Sequence, residues 1–347
     1  MHQVKLETVK NVSQSKAKIS YPYSIIQHSC KIFDYIAILR PLLLIPVWTM
    51  LLLGYYKGIK GDISARFLLP GNIPIILRPH TEIIITLFVY SLLMGAVYIL
   101  NQITDSDADS VNGKLYLIFQ GHVKKDILKT QIVALLSVSI IIAFLRFPRA
   151  YLLLVILSII FGIVYSVPPV RLKGKPFLDL LANATGFGII AFTVGYISNA
   201  KLSREVLIDS LPYFICTSAA FINTTLPDME GDIRNGDKTT GVILGIRKSC
   251  LASTLLLILA IFLSLLNRDF ISLTASTASL PFFIYMTARN WNESNPRMPA
   301  ITLATKFSLL ILSILTCIII PLYFVLLLLT ILLMKLYYQR RFGISYP

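Results

Sequence analysis

Residues 83–114 read IIITLFVYSLLMGAVYILNQITDSDADSVNGK. The first part, 83–100, holds no charged side chain and is close to the ~20 apolar residues that cross the hydrocarbon core of a bilayer. The second part, 101–114, places Asp105, Asp107 and Asp109 directly after it. A membrane-spanning helix that ends in a cluster of acids sets both the fold class and the search for function.

The rest of the chain repeats the apolar half of this pattern. Over 347 residues the composition is 56% hydrophobic and only 14% charged, with a mean hydropathy of +0.74. A soluble domain of this length needs a charged surface that this sequence does not supply. The expected fold is all-α, a polytopic membrane protein with nine transmembrane helices. Spans are expected at 34–56, 83–102, 127–145, 149–167, 178–198, 206–226, 249–266, 270–288 and 303–336. The last segment has Pro321 in its middle. It is expected as one long kinked helix, because two full spans need ~40 residues.

Residues 1–33 contain Lys5, Lys10, Lys16, Lys18 and Lys31 but no apolar signal core, and are expected to form a basic cytosolic tail before a single transmembrane domain, 34–347. The larger share of the 32 Lys and Arg falls on that tail and on the loops after spans 2, 4, 6 and 8. The positive-inside rule therefore puts the N-terminus and these loops in the cytosol. Two short spans in the final segment would add Lys335, Arg340 and Arg341 to the same side and strengthen the bias, so charge and length disagree there. A net charge of +15 spread over membrane loops serves topology and anionic lipid, and gives no nucleic-acid reading. Cys30, Cys216, Cys250 and Cys317 are far apart, and the four histidines are scattered; neither set makes a metal or disulfide framework.

Residues four apart on a helix share a face, so Asn101, Asp105 and Asp109 form one stripe, ~12 Å long, while Asp107 points elsewhere. Stacked carboxylates repel unless a cation lies among them. Magnesium takes oxygen ligands, typically one or two carboxylates together with phosphate oxygens and water. The loop after span 6, LPDMEGDIRNGDKTTG, repeats the spacing with Asp228 and Asp232 on the same expected side. Cations suited to phosphate surround both motifs: Arg171 and Lys173 after the helix-stopping Pro168 and Pro169, and Lys114 and Lys238 just beyond the two acidic stretches. Lys175 reads more simply as a topological charge.

With N-x-x-x-D-x-x-x-D (Asn101, Asp105, Asp109) and D-x-x-x-D (Asp228, Asp232) both in place, the chain resembles the UbiA-type intramembrane prenyltransferases. NQITDSDADSVNGK, YSVPPVRLKGKPF and LPDMEGD are similar to the branch that includes homogentisate phytyltransferases and chlorophyll synthases, and Leu39, Arg40 and Pro41 resemble the family's usual opening. The resemblance implies nine helices around a central cavity open to lipid. It also implies that Asn101, Asp105, Asp109, Asp228 and Asp232 hold Mg2+ on the diphosphate of an isoprenyl donor, with Arg40, Tyr165, Arg171, Lys173, Lys114 and Lys238 close to that diphosphate. The implied partners are a prenyl diphosphate donor, a lipophilic acceptor and the bilayer. Two departures stand out. Thr224 and Thr225 replace a lysine and an acid common before the second motif, and Ser-Val-Asn-Gly-Lys follows Asp109 in place of an Arg-Pro ending. A terpene cyclase or haem farnesyltransferase-like activity on the same scaffold, or a carboxylate-lined transporter, are the other readings.

Overall fold

A computed structural model describes residues 31–59, 68–69, 73–105, 117–118, 121–291 and 297–343. Among the described residues, ten helices are long and apolar enough to cross a membrane: α1 (Lys31–Gly58), α2 (Thr81–Thr104), α3 (Lys125–Arg146), α4 (Arg149–Ser166), α5 (Leu178–Ile197), α6 (Glu205–Arg234), α7 (Thr240–Leu266), α8 (Phe270–Arg289), α9 (Met298–Ile319) and α10 (Pro321–Phe342). A helix closes its backbone hydrogen bonds within itself, which is why runs of Leu, Ile, Val and Phe take this form in lipid. Besides the helices, two short segments pair antiparallel, β1 (Leu68–Leu69) and β2 (Ile73–Pro74).

The expected count of nine is corrected at the C-terminus. The segment 303–336 is two helices, not one, because the break recruits flanking residues: α9 begins at Met298 and α10 runs on to Phe342. Each has 22 residues, about 33 Å at ~1.5 Å per residue, enough for a ~30 Å core. Ile320 leaves the helical region (φ −127°, ψ 85°), the conformation that a following proline favours. The turn is a true reversal. The Ile319 carbonyl accepts from Ile76 N–H (2.7 Å), near the Tyr55–His80 hydrogen bond that joins the end of α1 to the start of α2. At the other end of α10, Arg341 pairs with Asp34 at the start of α1. The ends of α2, α4 and α6 and both ends of the described chain thus share one face.

Breaks inside three other helices matter for the site. Arg40 takes a left-handed conformation (φ 50°, ψ 61°) and Pro41 starts a 3-10 turn before α1 resumes at Leu44. Thr185–Ala191 of α5 is π-helical, and α7 is interrupted at Gly245 (φ 71°).

α1 is the inner helix. Leu51, Leu52, Leu53 and Tyr55 are fully buried, whereas α3 and α10 turn most of their apolar side chains outward. α1 crosses α5 at backbone contact: a Cβ on Gly54 would lie 1.8 Å from the Phe192 carbonyl oxygen, and one on Gly195 would lie 1.9 Å from that of Leu51. Small residues at such crossings let membrane helices approach closely. A cavity of about 490 Å³ lies between α1, α2, α4, α5, α6, α7, α8 and α9, and Arg40, Asn101 and Tyr165 line it on the side of the face described above.

Candidate active site

Two loops and the ends of α2 and α6 come together beside the end of this cavity that Arg40, Asn101 and Tyr165 line. Val167 is extended (φ −98°, ψ 133°) before the proline pair, which ends α4. Arg171 follows in a left-handed conformation (φ 37°), costing roughly 1–3 kcal/mol for a non-glycine residue. The α4–α5 loop is sewn to the α6–α7 loop at several points. Asp179, 1% exposed, accepts from Thr240 N–H (2.8 Å) and from the Thr240 hydroxyl, while that hydroxyl accepts from Phe177 N–H (2.8 Å). Lys238 N–H donates to the Gly174 carbonyl (3.0 Å).

On this platform the charges meet. Asp105 closes α2, its N–H donating to the Asn101 carbonyl (2.9 Å), and its side chain is almost buried. Lys173 Nζ donates to Asp105 Oδ1, and Arg171 Nη2 lies 3.7 Å from the same oxygen. Arg171 spends its fork on Asp237, with Nη1 2.8 Å from Oδ1 and Nη2 3.0 Å from Oδ2. Asp232 accepts from the Thr239 hydroxyl (3.2 Å) and lies within electrostatic reach of Asp228, Asp237 and Lys173. Asn101 Nδ2 donates to Ser166 Oγ (3.2 Å). Burial pushes the Lys173 ammonium down to about 8, against the opposing pull of Asp237 and Asp232 and with a push from Arg40.

Of the residues singled out from sequence, the structure therefore brings together Asn101, Asp105, Asp228, Asp232, Arg171 and Lys173. Arg40, Asn101 and Tyr165 line the cavity near its mouth, and Tyr165 is within electrostatic reach of Asp232. Lys238 is exposed and contributes its backbone. Asp107, Asp109 and Lys114 lie outside the described residues. Glu230 is exposed and pairs with Arg234, away from the mouth. Among the described residues no three Asp, Glu, His or Cys side chains are gathered tightly enough to form a metal cluster by themselves. Asp237, Asp179 and Thr240 were not found by sequence reasoning. Their roles depend on contacts more than sixty positions away, and no local spacing announces such contacts.

Below the mouth the cavity becomes apolar, with Met94, Val97, Phe161, Phe187 and Ile190 on its walls. It ends on Tyr90, whose hydroxyl shares a 2.6 Å hydrogen bond with Ser158, and on Tyr213, which donates to Asp269 (3.2 Å). Between Tyr90 and Asn101 on α2 the depth is ~16 Å at ~1.5 Å per residue.

The sequence profile of the UbiA prenyltransferase family matches residues 67–310. The chain belongs to this family. As a UbiA family member it is 27% identical over 202 residues to digeranylgeranylglyceryl phosphate synthase of Saccharolobus solfataricus, covering 58% of this chain and 66% of that protein. It is 32% identical over 177 residues to probable homogentisate phytyltransferase 2 of rice, covering 48% and 47%. The matched stretch thus spans about half to two thirds of these relatives. Its fold is that of a UbiA homologue from Archaeoglobus fulgidus solved with DMAPP and Mg2+, with a TM-score of 0.61 at 19% identity over 82% of this chain and 99% of that one.

Proposed function

We propose that this UbiA family protein is an integral-membrane prenyltransferase that moves an isoprenyl group from an allylic prenyl diphosphate to a lipophilic acceptor. One observation carries the reading: Asp105, Asp232, Arg171 and Lys173, drawn from three distant segments, converge beside Arg40, Asn101 and Tyr165, which line one end of a deep apolar cavity. Carboxylates and phosphate-binding cations at one end, with apolar walls below, match a molecule that has a polyanionic head and a hydrocarbon tail.

The donor set fits a hard divalent cation. Asn101, Asp105, Asp228 and Asp232 offer only oxygen, the ligand type magnesium takes along with diphosphate oxygens. Bound there, Mg2+ would neutralise charge on the leaving diphosphate. The remaining work belongs to the chain. Arg171 and Lys173, with Arg40 and Tyr165 beside them, face the diphosphate and stabilise the negative charge that grows as the allylic C–O bond breaks, the kind of preorganised electrostatic term that dominates many rate enhancements. The apolar walls hold the tail extended and keep water from the allylic cation. The acceptor's nucleophilic carbon or oxygen then bonds to C1 of the isoprenyl group and loses a proton. In this reading the mouth and the N-terminus lie on the cytosolic side.

Purified protein in nanodiscs, incubated with radiolabelled prenyl diphosphates of several lengths and a panel of phenolic and glycerol-phosphate acceptors, tests the proposal. Magnesium-dependent transfer of label into an acceptor is the expected result. Release of diphosphate with label appearing only in a cyclised hydrocarbon, or no turnover with any donor, would overturn it.

A further inference from the structure

We infer that α10 braces the first acidic motif from behind, and that Arg341 is a positioning residue for the proposed reaction. α10 lies beyond residue 310, where the family match ends, and contributes no residue to the cavity lining. Any effect it has on chemistry is therefore indirect.

Its last turns nevertheless end on a dense set of contacts. Asp34, fully buried, receives the Tyr337 hydroxyl on Oδ1 (2.6 Å) and the fork of Arg341, Nε on Oδ1 (3.1 Å) and Nη2 on Oδ2 (3.0 Å). Arg341 Nη2 is also 3.3 Å from His122 Nδ1, and the Phe342 ring meets the His122 ring edge-on at 5.3 Å. Beneath these polar contacts Met334 packs in one buried cluster with Ile38, Ile99, Leu117 and Val123. Gln102 Nε2 adds a 2.8 Å hydrogen bond to the Ile38 carbonyl. The start of α1, the last turns of α2 and residues 117–118 and 122–123 thus meet in one set of contacts with the end of α10.

Helical geometry gives this a direction. Ile99 sits on the turns that carry Asn101 and Asp105 but ~120–160° around the helix from them, while Gln102 lies ~100° from Asn101 and ~60° from Asp105, beside the ligand face. Through the cluster that holds Ile99, α10 loads the side of the α2 end that faces away from the candidate ligands. A bidentate Arg–carboxylate pair fixes orientation as well as distance, and one buried on its acid side is hard to break without leaving an uncompensated charge. The sequence chemistry agrees: Arg341 is the last arginine of a helix otherwise built for lipid, and it is spent on an inner residue.

The inference rests on prenyl transfer for one of its two readouts only. Hydrogen exchange of the full chain in nanodiscs should show Arg341→Gln raising exchange ~10-fold in peptides covering Ile99–Asp105 and Leu117–Leu128 but not across Leu226–Thr240. The apparent requirement for magnesium should rise ~10-fold or more, the range seen when partners behind a metal ligand are removed. The exchanged pair, Asp34→Arg with Arg341→Asp, should restore protection. If Arg341→Gln does not fold, Tyr337→Phe removes a single hydroxyl and should give the same pattern at smaller amplitude. Unchanged exchange at the end of α2, or an equal rise across the whole protein, would overturn the brace. A wild-type protein without transferase activity would sink the enzymatic reading, while the exchange arm would still decide the brace.

Discussion

A guanidinium that grips one carboxylate with both Nη atoms is held in a single plane, and Arg171 is held that way by Asp237. Arg171 is thereby aimed across the mouth toward Asp105 rather than left to sweep through solvent. Asp237→Asn keeps the shape and removes the charge, so the fork loses its anchor; kcat/KM for the donor should fall about tenfold, ~1.4 kcal/mol, as read from initial rates at varied donor concentration. Asp105→Ala and Asp228→Ala remove proposed ligands outright. Each should lower magnesium-dependent turnover by at least ~100-fold while folded protein is still recovered by gel filtration; full activity in either would end the metal assignment. The contrast between these residues explains what was legible. Asn101, Asp105, Asp228 and Asp232 announce themselves by a spacing of four beside an apolar run, a local signal. Asp237 and Asp179 act only through Arg171 and Thr240, sixty or more residues away, so their meaning exists only after folding.

At the scale of elements the sequence marked helices well because apolar runs end in charge or proline, and poorly where they do not. Between Phe307 and Met334 there is no charged residue; Pro321 is the sole punctuation, and the reversal there takes little more than Ile320. A hairpin that tight looks like one long helix to any reading based on hydropathy. The α1–α5 crossing was hidden for another reason, since glycine in a membrane helix is common and only the partner's position gives it a purpose. Gly54 and Gly195 each face a backbone carbonyl at under 2 Å from where a Cβ would sit. No side-chain rotamer relieves a clash with backbone, so the helices must part. Gly195→Ala should destabilise the protein by at least the ~1–3 kcal/mol typical of overpacking, seen as a lower melting temperature in detergent. Gly186→Ala, with nothing within 4 Å of its added methyl, is the matched control and should melt close to wild type.

For the whole molecule, the count of spans decides where the chain ends, and the two sequence signals disagreed about it. Length favoured nine and an external C-terminus; charge favoured ten, with Lys335, Arg340 and Arg341 joining the basic side. The ion pair from Arg341 to Asp34 places the end of α10 beside the start of α1, which resolves the conflict in favour of charge. From the positive-inside rule we propose the orientation in which the mouth, the N-terminus and the C-terminus all lie on the cytosolic side. This can be read without any assay of activity. In a cysteine-free background expressed in sealed cells, Lys175→Cys, on the exposed α4–α5 loop, should be protected from a membrane-impermeant maleimide, and Lys201→Cys, between α5 and α6, should be labelled. A cysteine appended after Pro347 should behave like Lys175→Cys and become reactive only after permeabilisation. If the C-terminal cysteine is labelled from outside while Lys175→Cys is protected, the chain crosses an odd number of times and the α9–α10 reversal does not exist in the membrane. If Lys175→Cys is the one labelled from outside, the count stands but the orientation is inverted. A diphosphate made in the cytosol would then have no access to the mouth, so that result bears on the proposed function as well as on topology.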